Sequence, residues 1–301
     1  MAKKSAYQGL IVGAMAAVGA VVAGRLVRRR PVAGDIVLPR GRAVITGASA
    51  GIGAEFARQL AAAGFDLALV ARRADRLQAL ADELCAAHGI RADVWPADLT
   101  AEAEVAALSD RLAATDDLVL LVNNAGFGTR GQFAEVPLER TLDMIRVHVL
   151  ASVALTRAAV PGMIARGRGG IVNVSSIAAF FPSAGGATYT ATKVYLNNFS
   201  QALAAELEGT GVAVQALCPG FTLTEFHDVG DYDGFDRGQI PGAVWMTAGA
   251  VVGESLAALG SGRVIVVPGA KYKAIVATTT NPFGEAVRRL ARVVRQRWSS
   301  V

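Results

Sequence analysis

Three side chains near the middle of the sequence have the types and spacing needed to move a proton to or from a carbonyl oxygen. Tyr189 and Lys193 are four residues apart, so on a helix the phenol and the ammonium share one face. A free tyrosine has a pKa of about 10, and a nearby cation favours the phenolate and lowers that value. Ser176 offers a hydroxyl that can hold the same oxygen. The set predicts acid–base catalysis, although Tyr189 and Lys193 alone also fit an ordinary helix surface.

A glycine-rich turn early in the chain has the composition of a phosphate-binding loop. Residues 46–53 are Thr-Gly-Ala-Ser-Ala-Gly-Ile-Gly, after a strand-like run and before a helical one. Glycines let the backbone approach a pyrophosphate, which then lies at the helix N-terminus. The spacing is Gly-x-x-x-Gly-x-Gly rather than Gly-x-Gly-x-x-Gly, and a turn with only a packing role is the alternative. The candidate binding residues are Gly47, Gly51 and Gly53.

Polar residues follow the next three strand-like runs. Arg72 and Arg73 come after the second run, at the strand end that reaches the adenosine ribose in a doubly wound fold. Arginine offers a planar fork to a 2′-phosphate, so Arg72 predicts NADP, whereas Arg73 also fits a solvated helix start. Asp98, after the third run, is a candidate acceptor for the adenine amino group. Asn124, after the fourth, either braces the sheet or lines the cofactor cleft.

The elements that position these residues begin at Arg42, where short apolar runs start to alternate with longer helical patterns. Nearly all-apolar strands indicate a sheet with helices on both faces, and the alternation indicates right-handed crossovers. The sequence therefore predicts a single α/β domain with a doubly wound parallel sheet of about seven strands. The predicted strands are Ala43–Thr46, Leu67–Ala71, Ala92–Trp95, Leu118–Asn123, Ile171–Ser175, Val212–Cys218 and Val264–Val267, and the predicted helices include Ala54–Ala63, Leu77–Ala87 and Tyr189–Leu207.

Over residues 42–268 the chain resembles the short-chain dehydrogenase/reductase family. Thr46–Gly53, Asn123–Gly126, Ser176, and Tyr189 with Lys193 match the family's motifs in order and spacing, and Cys218-Pro219-Gly220 with Thr224 matches the loop over the nicotinamide. The resemblance implies reduction of a ketone by NADPH, with Tyr189 as the acid and Lys193 also bound to the nicotinamide ribose. It further implies cofactor contacts from Ser49, Ile52, Asn124, Ala125, Gly126, Tyr189, Pro219, Gly220 and Thr224.

Two positions depart from that family pattern. His148 stands where many members carry an asparagine that completes a proton relay. If the relay uses the backbone carbonyl and a water, the imidazole is harmless; otherwise it relays protons itself, or is a hydrogen-bonded buried residue. Ala50 stands where some NADP-dependent members carry a second basic residue. Arg72 is therefore the main determinant of cofactor choice.

Composition argues against several other classes of site. Cys85 and Cys218 are the only cysteines, and they match no disulfide or metal spacing. The acidic residues between Glu225 and Trp245 lack calcium-loop spacing, so we expect no metal there and a mobile substrate lid instead. Aromatic residues near the expected substrate cleft suggest an apolar pocket, although such residues are more often core: Phe180, Phe181, Phe221, Phe226 and Trp245.

The charges lie at the two ends of the chain. The net charge is +5, with +6 on residues 1–40 and +4 on residues 284–301, which leaves −5 on the body between them. An acidic body argues against nucleic acid, and basic ends favour an anionic membrane surface. Val287 to Trp298 has the periodicity of a basic amphipathic helix, which either binds a membrane surface or docks on the body or a partner subunit.

The N-terminus contains an apolar stretch long enough to span a bilayer. Ser5 to Gly24 is uncharged over 20 residues and is followed by an arginine cluster, which favours a retained anchor over a cleaved signal or a peripheral helix. The basic flank predicts that the catalytic domain faces the cytoplasm. Gly9, Gly13 and Ala17 are spaced like small-residue helix contacts, and a homo-oligomer is expected.

Four segments follow from these patterns. They are an anchor with its basic flank (1–30), a linker (31–41), the catalytic domain (42–270) and a basic C-terminal segment (271–301). The expected activity is reduction of a hydrophobic, lipid-like ketone such as a 3-oxoacyl group by NADPH. A steroid-like substrate, a dehydrogenase working in the oxidative direction and a non-catalytic nucleotide-binding scaffold are the alternatives.

Overall fold

A seven-stranded parallel sheet forms the centre of the computed structural model, which describes residues 38–129, 131–227, 238 and 240–279. The strand order β3-β2-β1-β4-β5-β6-β9 confirms the predicted doubly wound α/β fold. A separate pair, β7 and β8, lies outside it. The strands are β1 (Arg42–Thr46), β2 (Asp66–Ala71), β3 (Ala92–Pro96), β4 (Leu118–Asn123), β5 (Gly169–Val174), β6 (Val212–Leu217), β7 (Thr222–Leu223), β8 (Met246–Thr247) and β9 (Ile265–Val266).

Helices cover both faces of the sheet, and every residue of β4 and β5 is buried between them. Two apolar clusters result, one beneath α1, α2 and α7 and the other beneath α3, α5 and the end of α6. The helices are α1 (Gly51–Ala62), α2 (Ala74–His88), α3 (Glu102–Ala113), α4 (Leu138–Ile145), α5 (Ser152–Ala165), α6 (Ala187–Glu206), α7 (Ala248–Ala258) and α8 (Ala270–Thr279). The described residues also form a π-helical stretch, Arg146–Ala151, and three 3₁₀ turns, Ile177–Phe180, Glu225–His227 and Gly242–Val244.

The chain reverses its direction of travel across the sheet next to β1. This strand pairs with β2 on one side and with β4 on the other, so successive strands are added outward in both directions. The carboxyl ends of β1 and β4 consequently open a crevice at the point where the order reverses. The glycine-rich turn after β1 and the Asn123–Gly126 segment at the end of β4 meet there.

One helical run among the described residues, Leu138–Ala165, is long and apolar enough to cross a membrane. Its α5 part packs against α3 and β4, and 44% of its apolar window is buried, so it belongs to a helical layer of the domain. The expected anchor, Ser5 to Gly24, and the amphipathic helix from Val287 lie outside the described residues. The helix α8 packs on the domain through Tyr272, which is fully buried.

Candidate active site

The turn between β1 and α1 leaves a helix N-terminus open to an anion. Gly47 and Gly51 have φ angles of +66° and +56°, which other residues rarely adopt. A Cβ on Gly53 would lie 2.3 Å from the carbonyl oxygen of Gly47, so only glycine lets α1 approach the turn this closely. The helix has no side-chain cap and no acidic residue in its first turn. Its first N–H groups therefore suit a pyrophosphate, with half-buried Ser49 and Ile52 beside them.

Of the two arginines after β2, Arg73 contacts this turn directly. The guanidinium of Arg73 donates to the Ser49 hydroxyl from Nε (3.1 Å) and Nη2 (2.9 Å). Arg72 is more exposed, and its nearest carboxylate is that of Asp98 at 3.9 Å. The cationic end of the cleft thus contains Arg73 as well as the expected Arg72. Two adjacent arginines in the sequence were the only signal for this second contact.

A carboxylate from a distant loop joins this basic group. Glu225 accepts from Arg73 at 3.2 Å and from Arg76 on α2 at 2.8 and 2.9 Å. Burial alone would raise the pKa of Glu225, but the hydrogen bonds from Arg73 and Arg76 hold it below its usual value. The segment after β7 is thereby linked to the arginines beside the glycine-rich turn.

Asn124 braces the sheet, which was one of its two expected roles. Its amide donates to the carbonyl oxygens of Thr46 (2.8 Å) and Gly47 (3.2 Å). The Thr46 hydroxyl in turn accepts from the backbone N–H groups of Asn124 (2.9 Å) and Ala125 (3.0 Å). These bonds hold the ends of β1 and β4 together and set the floor of the crevice. Thr46 therefore has a positioning role that its place in the glycine motif did not reveal.

Asp98 lies at the end of the crevice formed by β3. Its Oδ1 accepts from the backbone N–H and the hydroxyl of Thr100, both at 2.9 Å. Burial opposes ionisation, but the bonds from Thr100 and the nearby Arg72 charge outweigh it and lower the pKa of Asp98. The carboxylate is therefore ionised and has an oxygen available on the Arg72 side.

The helix α6 brings Tyr189 and Lys193 together, as their spacing predicted. The ammonium nitrogen of Lys193 lies 5.6 Å from the centre of the Tyr189 ring and donates to the carbonyl oxygen of Val174 at 2.9 Å. Lys193 is buried, and burial lowers its pKa from 10.5 to about 7. Tyr189 remains half-buried. The Lys193 amine, which loses its proton more readily than an exposed lysine does, therefore lies beside the half-buried Tyr189 phenol.

The two serines after β5 have different surroundings. Ser175 is buried and donates to the backbone carbonyl of Lys193 at 2.9 Å, which ties α6 to the sheet. Ser176 is half-buried and caps the 3₁₀ turn by accepting from the N–H of Ala178 at 3.1 Å. Its hydroxyl hydrogen is not used in that bond. Ser176 is thus the serine with a donor left for another oxygen.

The loop after β6 closes the crevice from the opposite side. The carbonyl of Pro219 accepts from the N–H of Ile177 at 2.9 Å, and a Cβ on Gly220 would overlap the Tyr272 ring. Thr224 lies against Gly51: a Cβ added at Gly51 would be 3.0 Å from the Cβ of Thr224. The expected nicotinamide loop and the glycine-rich turn therefore meet across the crevice.

Three of the five aromatic residues expected near the substrate divide into two groups. Phe226 lies with its ring centre 6.1 Å from that of Tyr189. Phe221 and Trp245 pack edge to face at 5.4 Å, and Tyr272 donates to the carbonyl of Val244 at 2.6 Å beneath them. Phe226 therefore borders the catalytic group, whereas the other pair packs the base of the loop. Most of the expected lid, residues 228–237 and 239, lies outside the described residues.

A doubly wound sheet with a glycine-rich turn at its switch point is typical of a dinucleotide-binding domain. The family model for short chain dehydrogenases matches residues 42–230, and the chain belongs to this family. It is therefore an oxidoreductase that interconverts an alcohol and a carbonyl group with a nicotinamide cofactor.

Similar proteins differ in what they act on. A very-long-chain 3-oxoacyl-CoA reductase of Anas platyrhynchos is 33% identical over 194 residues, which cover 62% of this chain and 61% of the reductase. A serine 3-dehydrogenase of Agrobacterium fabrum is 39% identical over 188 residues, covering 62% and 74%. The structure of a short-chain dehydrogenase from Sphingobium yanoikuyae in complex with NADPH superposes with a TM-score of 0.73 at 33% identity, covering 84% of this chain and 95% of that one.

Proposed function

We propose that this enzyme uses NADPH to reduce the ketone of a long-chain lipid, such as a 3-oxoacyl group, to an alcohol. The observation that carries the chemistry is the juxtaposition of Tyr189 with the buried Lys193 on α6. The proposed sites are the residues named from the sequence, with Arg73 added at the phosphate end. The substrate class rests on similarity to the very-long-chain 3-oxoacyl-CoA reductase.

NADP is the proposed cofactor because β2 is followed directly by two arginines, Arg72 and Arg73, where an acidic residue would bind a ribose 2′-hydroxyl. Arg73 is held at the Ser49 hydroxyl, next to the open N-terminus of α1, and Arg72 lies alongside. A guanidinium pairs with a phosphate through charge-assisted hydrogen bonds that a ribose hydroxyl cannot match. The NADPH complex of the Sphingobium yanoikuyae enzyme is consistent with this choice.

In this mechanism the chain's own residues transfer the proton and stabilise the charge that the transfer leaves behind. When bound, the nicotinamide supplies or accepts the hydride. During reduction Tyr189 donates its phenolic proton to the carbonyl oxygen, and Ser176 donates a hydrogen bond to the same oxygen. The Lys193 ammonium stabilises the phenolate that results. Oxidation of the alcohol reverses each transfer.

Attachment to a membrane would bring this site to a lipid substrate. We propose that residues 1–30 anchor the protein, that residues 31–41 link the anchor to the catalytic domain, and that the basic C-terminal segment presses the domain against an anionic leaflet. Residues 5–24 have the length and apolar character of a spanning helix, and the basic clusters flank both ends of the body. The active domain would then face the cytoplasm.

A panel of substrates tests the proposal with the full chain in lipid nanodiscs. We expect NADPH oxidation with long-chain 3-oxoacyl thioesters, with lower kcat/KM for short 3-oxo esters and steroid ketones. A competing outcome is NADP-dependent oxidation of serine, favoured by the similarity to the serine 3-dehydrogenase. Preference for serine or for short water-soluble ketones would refute the lipid substrate. Equal kcat/KM with NADH would refute the cofactor choice.

A further inference from the structure

The imidazole of His148 lies between the loop after β4 and the first turn of the catalytic helix. His148 is 1% exposed and belongs to the π-helical stretch Arg146–Ala151. Its ring centre is 6.0 Å from that of Phe127 and 5.8 Å from that of Tyr189, edge to face in both cases. π-helical turns often occur at functional sites because they shift a side chain out of α-helical register. Here the shifted stretch brings an imidazole against the proposed proton donor.

The hydrogen bonds around the ring assign its tautomer. The N–H of Phe127 donates to Nε2 at 3.1 Å, so Nε2 must lack a proton. A neutral imidazole then carries its proton on Nδ1, which lies 2.9 Å from the Thr192 hydroxyl and donates to it. That hydroxyl donates in turn to the carbonyl oxygen of Tyr189 at 2.8 Å. Three bonds therefore run without a break from the β4 loop to Tyr189.

The surroundings keep this ring neutral. Burial is the main cause that lowers the pKa of His148 well below its usual value, and the Lys193 charge adds to it. The bond that Nε2 accepts from the Phe127 N–H is made only by the neutral ring, so it also favours that form. An imidazolium would present an N–H to the Phe127 N–H and lose that bond. The neutral form is therefore the only one that satisfies every partner.

We propose that His148 is a positioning residue, which fixes the first turn of α6, and with it Tyr189, against the loop after β4. Both ring nitrogens are occupied in this arrangement, so the imidazole does not carry protons to the phenol. The proposal rests on the proposed role of Tyr189 as proton donor. The two hydrogen bonds of His148, to Phe127 and to Thr192, thus form a clamp between the loop after β4 and α6, and the histidine belongs to the π-helical stretch.

The tautomer of His148 tests the clamp without any turnover. Long-range ¹H–¹⁵N spectra of the protein, labelled at its three histidines, should show one ring with a proton on Nδ1 and a bare Nε2 throughout pH 6–8. That signal should be missing from a His148→Asn variant, which assigns it. A proton on Nε2, or an imidazolium within that range, would overturn the proposal.

Removal of the Thr192 hydroxyl tests whether the clamp serves catalysis. Thr192→Val leaves the Nδ1–H without an acceptor, and we expect kcat to fall about tenfold. The Kd for NADPH should stay within about twofold of wild type, and Thr192→Ser should restore most of the turnover. The matched control is Thr190→Val, since Thr190 is buried on the same turn and its hydroxyl has no hydrogen-bond partner among the described residues.

The outcomes separate this inference from the proposed function. Wild-type turnover by Thr192→Val, or an equal loss in Thr190→Val, would overturn the positioning role. If the wild type reduces no substrate in the panel, the proposed function fails, and the tautomer and NADPH affinity still decide the clamp. If Thr192→Val does not fold, His148→Asn replaces it in the kinetic assay. That variant keeps a donor toward Thr192 and loses the acceptor for the Phe127 N–H.

Discussion

At the scale of single residues, the phenol of Tyr189 is the most direct test of the chemistry. Tyr189→Phe removes only the transferable proton, so we expect kcat to fall by about 10²- to 10⁴-fold, the usual contribution of a general acid. The Kd for NADPH should remain within about twofold, as measured by cofactor fluorescence. The control is Tyr195→Phe, on the same helix at a position 41% exposed. Wild-type turnover in the Tyr189→Phe variant would remove Tyr189 from the mechanism.

The buried ammonium of Lys193 should make stability depend on pH in a defined window. The folded protein holds this pKa at about 7, against 10.5 for an ordinary lysine. Between these values the unfolded chain binds a proton that the folded chain does not, so stability rises with pH. Relative to Lys193→Met, the wild type should therefore gain free energy of unfolding from about pH 7 to pH 10 and show no further trend below pH 7.

Denaturant titration of the cofactor-free protein measures this difference. The exposed Lys273, on α8, provides the control variant Lys273→Met. If the difference between wild type and Lys193→Met does not change with pH, Lys193 is not the buried base that the structure describes.

At the scale of elements, the end of β2 should decide between the two cofactors. Arg73→Ala removes the guanidinium held at Ser49, and we expect NADPH affinity to fall by about 10- to 100-fold, the range of a charge-assisted hydrogen bond. Arg72→Ala should act in the same direction, and NADH affinity should change little in either variant. Arg58→Ala, at a surface arginine on α1, is the control. A parallel loss of NADH affinity would mean that the turn itself had been damaged.

The elements differ in how far local sequence determines them. The apolar run of β4 predicted its bounds, Leu118–Asn123, because all six residues are buried and polar residues, Asp117 and Asn124, flank the strand directly. The helix α1 begins at Gly51, three residues before the predicted start, because two of its first three residues are glycines, which local propensity places outside a helix. The helix α2 also begins three residues early, since its apolar periodicity starts only at Leu77.

Tertiary contacts determine the features that the sequence did not predict. The orientation of Arg73 depends on Ser49 and on Glu225, which is 152 residues away in the chain. The tautomer of His148 depends on Phe127 and Thr192, on two different elements. The π-helical stretch Arg146–Ala151 has no distinctive composition. By contrast, the Tyr189–Lys193 pair follows from helix periodicity alone, which explains why the catalytic group could be proposed from spacing.

At the scale of the whole molecule, the distribution of charge predicts an orientation in the membrane. The flank after the apolar stretch holds Arg25, Arg28, Arg29 and Arg30, against Lys3 and Lys4 before it. The side richer in arginine and lysine normally remains in the cytoplasm. Protease added to sealed inverted vesicles should therefore digest the catalytic domain, whereas intact cells should protect it.

Two results would contradict this arrangement. Protection of the domain in inverted vesicles would reverse the orientation. Release of active enzyme from membranes by high salt alone would show that residues 5–24 do not span the bilayer. Retention in salt followed by release in detergent is the expected result. A variant lacking residues 1–30 measures what the anchor contributes to kcat/KM for lipid ketones.

The contact between Gly126 and His148 also limits the order in which this site can evolve. A Cβ at position 126 would lie 2.7 Å from Nε2 of the imidazole, closer than the packed ring can accommodate. Gly126→Ala should therefore be deleterious in the present background and tolerated once His148 has been replaced by the shorter asparagine. The two positions are therefore epistatic: while His148 is present, Gly126 cannot be replaced by a larger residue. Such a replacement becomes possible only after His148 itself has been replaced.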